Sequence, residues 1–165
     1  MKPAELVLGS KHSIAGTVYG TIVVLAVLAE GSDAYAHDLW RLDAILVVTA
    51  FVLWVAHVYA HGLGESLRLG HRLDIPELRE IVVREFAILA AAVAPAVIVG
   101  LGALHVLNAK AAVWAAIAVG VTALAVEGVR YARLEQLTAF GTMLTVAVNL
   151  ALGLVIVLLK VVVSH

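Results

Sequence analysis

The chain has 165 residues, 63% of them hydrophobic and only 14% charged, with a mean hydropathy of +1.05. A soluble domain carries about 25% charged residues and, at this size, has no interior large enough to hide so much apolar surface, so a water-soluble globule is excluded. The net charge of −1 comes without any lysine-rich block, so neither nucleic acid nor anionic lipid is indicated as a partner, and the absence of cysteine excludes disulfides, thiol catalysis, thiolate metal sites and iron–sulfur ligation.

Several apolar runs reach the ~17–25 residues that cross a hydrocarbon core, and strict polar/apolar alternation is absent, so the spans are helices rather than barrel strands. The expected fold is all-α: one polytopic membrane domain over 1–165, a bundle of five transmembrane helices. The spans fall at about 13–30, 42–61, 85–107, 111–131 and 138–163, with a short amphipathic cytoplasmic helix at about 75–85 between the second and third.

The first span follows Lys2 and Lys11 and precedes Ala34-Tyr35-Ala36, which has the A-x-A form of a signal-peptidase site; an uncleaved transmembrane helix is the expectation. Gly16-Thr17-Val18-Tyr19-Gly20 has the GxxxG spacing that lets helices approach closely, and Ser13, Thr17 and Thr21 form a hydroxyl stripe beside it. In the next loop Asp38 is placed to cap the second helix, while Asp33 and His37, four apart, could share a divalent ion if the segment were helical.

The second span ends in Trp54-Val55-Ala56-His57-Val58-Tyr59-Ala60-His61-Gly62-Leu63-Gly64-Glu65. If helix continues through it, His57, His61 and Glu65 share one face, about 6 Å apart along the axis. Residues 62–85 form the single long polar segment, with Arg68, Arg72, Arg79 and Arg84 interleaved with acids, and Asp74-Ile75-Pro76-Glu77 has the form of a capping box that starts a helix. The third span contains Pro95, which removes a backbone donor and predicts a kink. The fourth carries Ala116, Gly120, Ala123, Glu127 and Arg130 on one flank, and the fifth repeats Gly141, Thr145, Asn149 and Gly153 every four residues, a close-packing face with a carboxamide that bonds a neighbouring helix.

Five spans put the termini on opposite sides. With a cytoplasmic N-terminus the inner segments hold Lys2, Lys11, Arg68, Arg72, Arg79, Arg84, Arg130 and Arg133, against Arg41, Lys110 and Lys160 outside, so the positive-inside rule gives an N-in, C-out protein of a cell membrane. Thr17, Tyr19, His57, His61, Glu127, Arg130 and Tyr131 then share the cytoplasmic half, where they could meet, and His105 lies near the outer side.

An ionisable group at a helix centre costs ~2.5–3.5 kcal/mol on insertion scales, so such groups face protein or water and find partners. In the plainest arrangement Glu127 pairs with Arg130 on its own helix, His57 is a neutral core donor and His61 sits among the headgroups. In the functional one, His57, His61, Glu65, Glu127, Arg130 and Asn149 line a wet path that passes protons or cations, since imidazole changes charge near neutral pH. His57 and His61 are two ligands toward a transition-metal site, which is incomplete; they lie on one face of one helix, which is wrong for haem, and a His12–His61 pair is the remaining possibility for it. No cofactor is called for. No nucleophile–base pair or H-E-x-x-H element points to an enzyme. Two classes of function follow: a small channel or transporter for protons or cations, homo-oligomeric because five helices enclose little space, or a non-catalytic membrane subunit or scaffold that docks a cytoplasmic protein partner through residues 75–86.

Overall fold

The computed structural model describes residues 11–35 and 37–163. Lys2, Ala36 and the side chains of His12, Asp33 and Lys160 lie outside what is described, and with them the His12–His61 and Asp33–His37 pairings. The described chain is all helical: α1 (Lys11–Ala34), α2 (Leu39–Leu69), α3 (Ile75–Ala103), α4 (Ala109–Leu134) and α5 (Ala139–Val163). The first four are long and apolar enough to cross a membrane.

Local chemistry sets the helix ends. The Asp38 carboxylate accepts from the Arg41 N–H at 3.1 Å and starts α2. Gly70 ends it in the left-handed region (φ 73), where the absence of a Cβ removes the steric penalty, and its N–H donates to the Ser66 carbonyl. Asp74 and Glu77 form the capping box in full: the Glu77 N–H donates to Asp74, and the Asp74 N–H to Glu77, both at 2.8 Å. Asn108 caps α4 by accepting from Lys110 N–H at 3.0 Å.

The separate surface helix expected at 75–85 is instead the first three turns of α3, which runs unbroken from Ile75 to Ala103. Nothing in Arg84-Glu85-Phe86-Ala87 can stop a helix, and the stripe Ile81, Glu85, Ile88, Ala92 stays buried across the expected boundary. Likewise α2 does not end near 61 but continues through Gly62 and Gly64 to Leu69. At ~1.5 Å per residue α2 and α3 are about 46 and 43 Å long, well over the ~30 Å of a hydrocarbon core, and their joined ends form a hairpin rich in arginine and acids. At the other end α3 stops at Ala103, before the 107 expected, and His105 sits in the following turn with φ 59. Pro95 is buried inside α3.

The first helix is the hub. It packs against each of the other four, while α2 lies mainly on α3, and α5 on α4 and α1. The GxxxG pair is used for close approach: a Cβ at Gly20 would lie 2.5 Å from the Ile88 carbonyl oxygen, and one at Gly16 3.2 Å from the Ala87 methyl. Leu25, Leu28, Leu42, Leu46, Ile88 and Leu124 fill the centre without exposure. The outer faces are as apolar as the core: Val48, Phe51, Val52 and Val55 on α2, and Phe140, Met143, Leu144 and Val148 on α5, stand exposed. Water would not tolerate so continuous an apolar surface; lipid would.

Candidate functional site

The register of α2 sets His57 one turn after Leu53, and the ring Nδ1 lies 3.1 Å from the Leu53 carbonyl oxygen. A carbonyl only accepts, so Nδ1 carries the hydrogen and the neutral ring keeps its lone pair on Nε2. Tyr19 of α1 packs against this ring with centroids 4.9 Å apart, and the His61 ring follows at 6.1 Å. One turn earlier, Trp54 locks α2 to α3, its Nε1–H donating to the Val82 carbonyl at 3.4 Å and its ring meeting Phe86 edge-on.

His61 reaches across to α3. Its Nδ1 is 3.2 Å from Oε1 of Glu85, and the same oxygen accepts from the Arg84 Nε at 3.3 Å. The Glu85 side chain is 9% exposed and the His61 side chain 51%, so a carboxylate set into the bundle meets an imidazole that opens outward. Glu65, one turn beyond His61, accepts from both Nε and Nη2 of Arg68, and Arg84 lies within Coulombic reach of it. Two carboxylates, two guanidinium groups, two imidazoles and a phenol therefore gather where α1, α2 and α3 meet, at the base of the projecting hairpin.

The remaining expected residues belong to another part of the bundle. Glu127 on α4 closes onto Arg130 at 2.6 Å, with its second oxygen buried and without a hydrogen-bond partner. Asn149 of α5 donates to the Leu124 carbonyl of α4 at 3.3 Å, above Gly128, where a Cβ would meet its carboxamide nitrogen at 3.2 Å. The histidines sit on α2, whose packing partners are α3 and α1, whereas Glu127 and Arg130 sit on α4, which packs on α5, α1 and α3.

Glu85 is the site residue that the sequence reading missed, because it fell on the boundary between a surface helix and a span. Its signal was present: with Ile81, Ile88 and Ala92 it recurs at i, i+4, i+7 and i+11, so an acid occupies a buried stripe. Tyr19, which the sequence places in the same half of the bundle as His57, does meet that ring, although no local spacing ties the two. Among the described residues, no three of His, Asp and Glu come together as a metal-holding group. At the opposite end of the bundle, a half-open cavity of about 510 Å³ lies between the α1–α2 and α3–α4 turns, lined by His37, Asp38, Trp40, His105 and Asn108. Compared with known protein families, with curated proteins and with solved structures, the chain finds no match.

Proposed function

We propose that the chain is a small integral membrane protein that moves protons or cations, with the polar cluster His57, His61 and Glu85 at the cytoplasmic mouth of its path. The observation that carries this reading is the Glu85 carboxylate, held within the bundle by residues of two helices and facing a half-exposed imidazole. An acid on a buried helical stripe is costly unless it is partnered, and a purely structural site would be served as well by leucine. Here its partner is an imidazole, a ring with one nitrogen that can donate a hydrogen and another that can accept one. The acid of the path is Glu85; Glu127, closed on Arg130, and Asn149, bonded to α4, serve packing.

In this reading all five helices span the membrane, α5 included, with the N-terminus cytoplasmic and the C-terminus outside. The distribution of Lys and Arg supports that orientation, because the α2–α3 hairpin alone holds Arg68, Arg72, Arg79 and Arg84. A homo-oligomer completes the enclosure that a single five-helix subunit lacks. The test is flux: purified protein in liposomes carrying a trapped pH indicator should collapse an imposed pH gradient, and His61→Ala or Glu85→Gln should abolish the effect while Glu127→Gln retains it. Vesicles that stay as tight as protein-free ones would end the reading.

A second reading rests on the hairpin itself. It extends beyond the hydrocarbon and carries Leu63, Leu67, Ile75 and Leu78 in exposed positions among its charges. A scaffold that docks a cytoplasmic protein through this hairpin would tolerate the His61 and Glu85 substitutions and lose function when those four apolar residues become polar.

A further inference from the structure

Resting on the transport reading above, we infer that this mouth passes protons and rejects metal cations, and that the Arg84 guanidinium is the residue that sets the selectivity. A metal ion needs several lone pairs directed at one point. The cluster offers few. The Nδ1 atoms of both histidines are already committed, to the Leu53 carbonyl and to Glu85. The Glu85 oxygen that faces His61 is shared with Arg84 Nε, and the Glu65 carboxylate is held at both oxygens by Arg68. Every carboxylate in the cluster thus has a resident cation, fixed on the same helix one residue or one turn away, and a divalent ion approaching either carboxylate meets that positive charge first.

A proton needs one lone pair at a time, and the geometry supplies it. The neutral His61 ring keeps its lone pair on Nε2, on the side of the ring away from Glu85. A proton taken up there gives an imidazolium; release of the Nδ1 proton to Glu85 Oε1 then returns a neutral ring beside a neutral carboxylic acid, with an N–H bond formed at Nε2, one broken at Nδ1, an O–H bond formed at Oε1, and the cluster one positive charge above its resting state until the acid gives that proton up to water. His57 stands next in line, 6.1 Å away between ring centres, close enough for one water to bridge. The groups that bear on His61 are His57 and Glu65 with its Arg68 from α2, Arg84 and Glu85 from α3, and Tyr19 of α1 through His57. Arg84 holds the site near electrical balance, so the charge of a passing proton is the single uncompensated one.

The experiment uses the full chain in phosphatidylcholine and phosphatidylglycerol vesicles, with proton entry followed by a trapped pH indicator and Zn²⁺ or Mn²⁺ entry by a trapped metal indicator. Wild type is expected to pass protons and to pass neither metal above protein-free vesicles. Arg84→Gln, which frees the Glu85 carboxylate, is expected to raise Zn²⁺ binding by about tenfold, read by equilibrium dialysis. Wild-type protein that carries Zn²⁺ or Mn²⁺ overturns the selectivity and leaves the transport reading standing, as does folded Arg84→Gln with unchanged metal binding. If Arg84→Gln does not fold, the wild-type metal arm decides alone. No flux of any ion removes the transport reading and this inference with it.

Discussion

Glu85 and Glu127 look alike in the sequence: each is an acid on a long apolar helix, each is less than a tenth exposed, and each has an arginine within three residues. Their environments differ in kind. Glu127 meets Arg130 at i+3 on its own helix, a contact that an isolated helix already offers. Glu85 divides one oxygen between Arg84 beside it and His61 on α2, so its full set of partners exists only when α2 and α3 are docked. The first pair neutralises a charge within a single helix, with one buried carboxylate oxygen left over. The second ties an imidazole to the packing of the bundle, so its contact with the acid depends on how α2 and α3 are docked.

The largest way to break this contrast is to separate the helices. Gly20→Leu places a Cβ 2.5 Å from the Ile88 carbonyl oxygen, a backbone atom that cannot retreat without disturbing α3. Overpacking usually costs ~1–3 kcal/mol, and a clash with backbone belongs at the upper end or above it. Ile88 is one turn from Glu85, so α1 would be levered off α3 beside the cross-helix site, while Glu127–Arg130 would survive within α4. Thermal unfolding in detergent should show the largest loss of any variant considered, and Trp54 emission should shift to the red as its contacts with Val82 and Phe86 loosen. A wild-type melting point would mean that the glycine seam does not hold α1 to α3.

Next in size is the local pair. Arg130→Ala leaves a carboxylate that is 8% exposed without this guanidinium; breaking a fully buried pair costs ~3–5 kcal/mol, and the 31% exposure of Arg130 reduces this to about 1–3 kcal/mol. Glu127→Gln removes the buried charge instead and leaves an arginine that can reach water, so it should cost less than about 1 kcal/mol. Equal losses from the two would show that the pair, rather than the buried acid, determines the cost.

What could be read from the sequence follows the same division. Interactions within one helix or one turn were legible: the capping box at Asp74 and Glu77, the Asp38 cap, the proximity of Glu127 to Arg130 and the GxxxG seam. The all-helical, apolar character was legible too, since it depends on composition and run length. The unbroken α2 and α3 were not, because polarity at 62–85 suggests departure from the membrane into a separate element, whereas a helix stops only where a cap, a proline or a glycine in the left-handed region stops it. Gly62 and Gly64 remain helical; Gly70 does not. Nor was the Tyr19–His57 or His61–Glu85 contact legible, since each joins residues 24 or more apart and depends on which helix lies between which others.

His61→Ala sharpens the comparison at a smaller scale. His61 is half exposed, so its contact with Glu85 is screened, and its loss should cost less than about 1 kcal/mol. Its effect on proton flux should nonetheless be complete. A variant that melts like wild type and no longer conducts would separate function from stability at this position, and one that conducts normally would remove His61 from the path.

The smallest effect is expected from Arg68→Ala. Arg68 and Glu65 form a two-pronged ion pair, with the guanidinium Nε and Nη2 on the two carboxylate oxygens, yet the Arg68 side chain is 68% exposed. Water and salt screen such a pair, and fixing two long side chains offsets much of the attraction, so the loss in stability should be the smallest of the series. Removing Arg68 also releases a carboxylate one turn from His61 while Arg84 keeps its hold on Glu85. If Arg84 sets the selectivity, Arg68→Ala should leave both the melting point and the exclusion of Zn²⁺ unchanged. If Zn²⁺ entry appears in Arg68→Ala but not in Arg84→Gln, the guarding charge is at Glu65, and the selective acid of the mouth is the exposed one rather than the buried one.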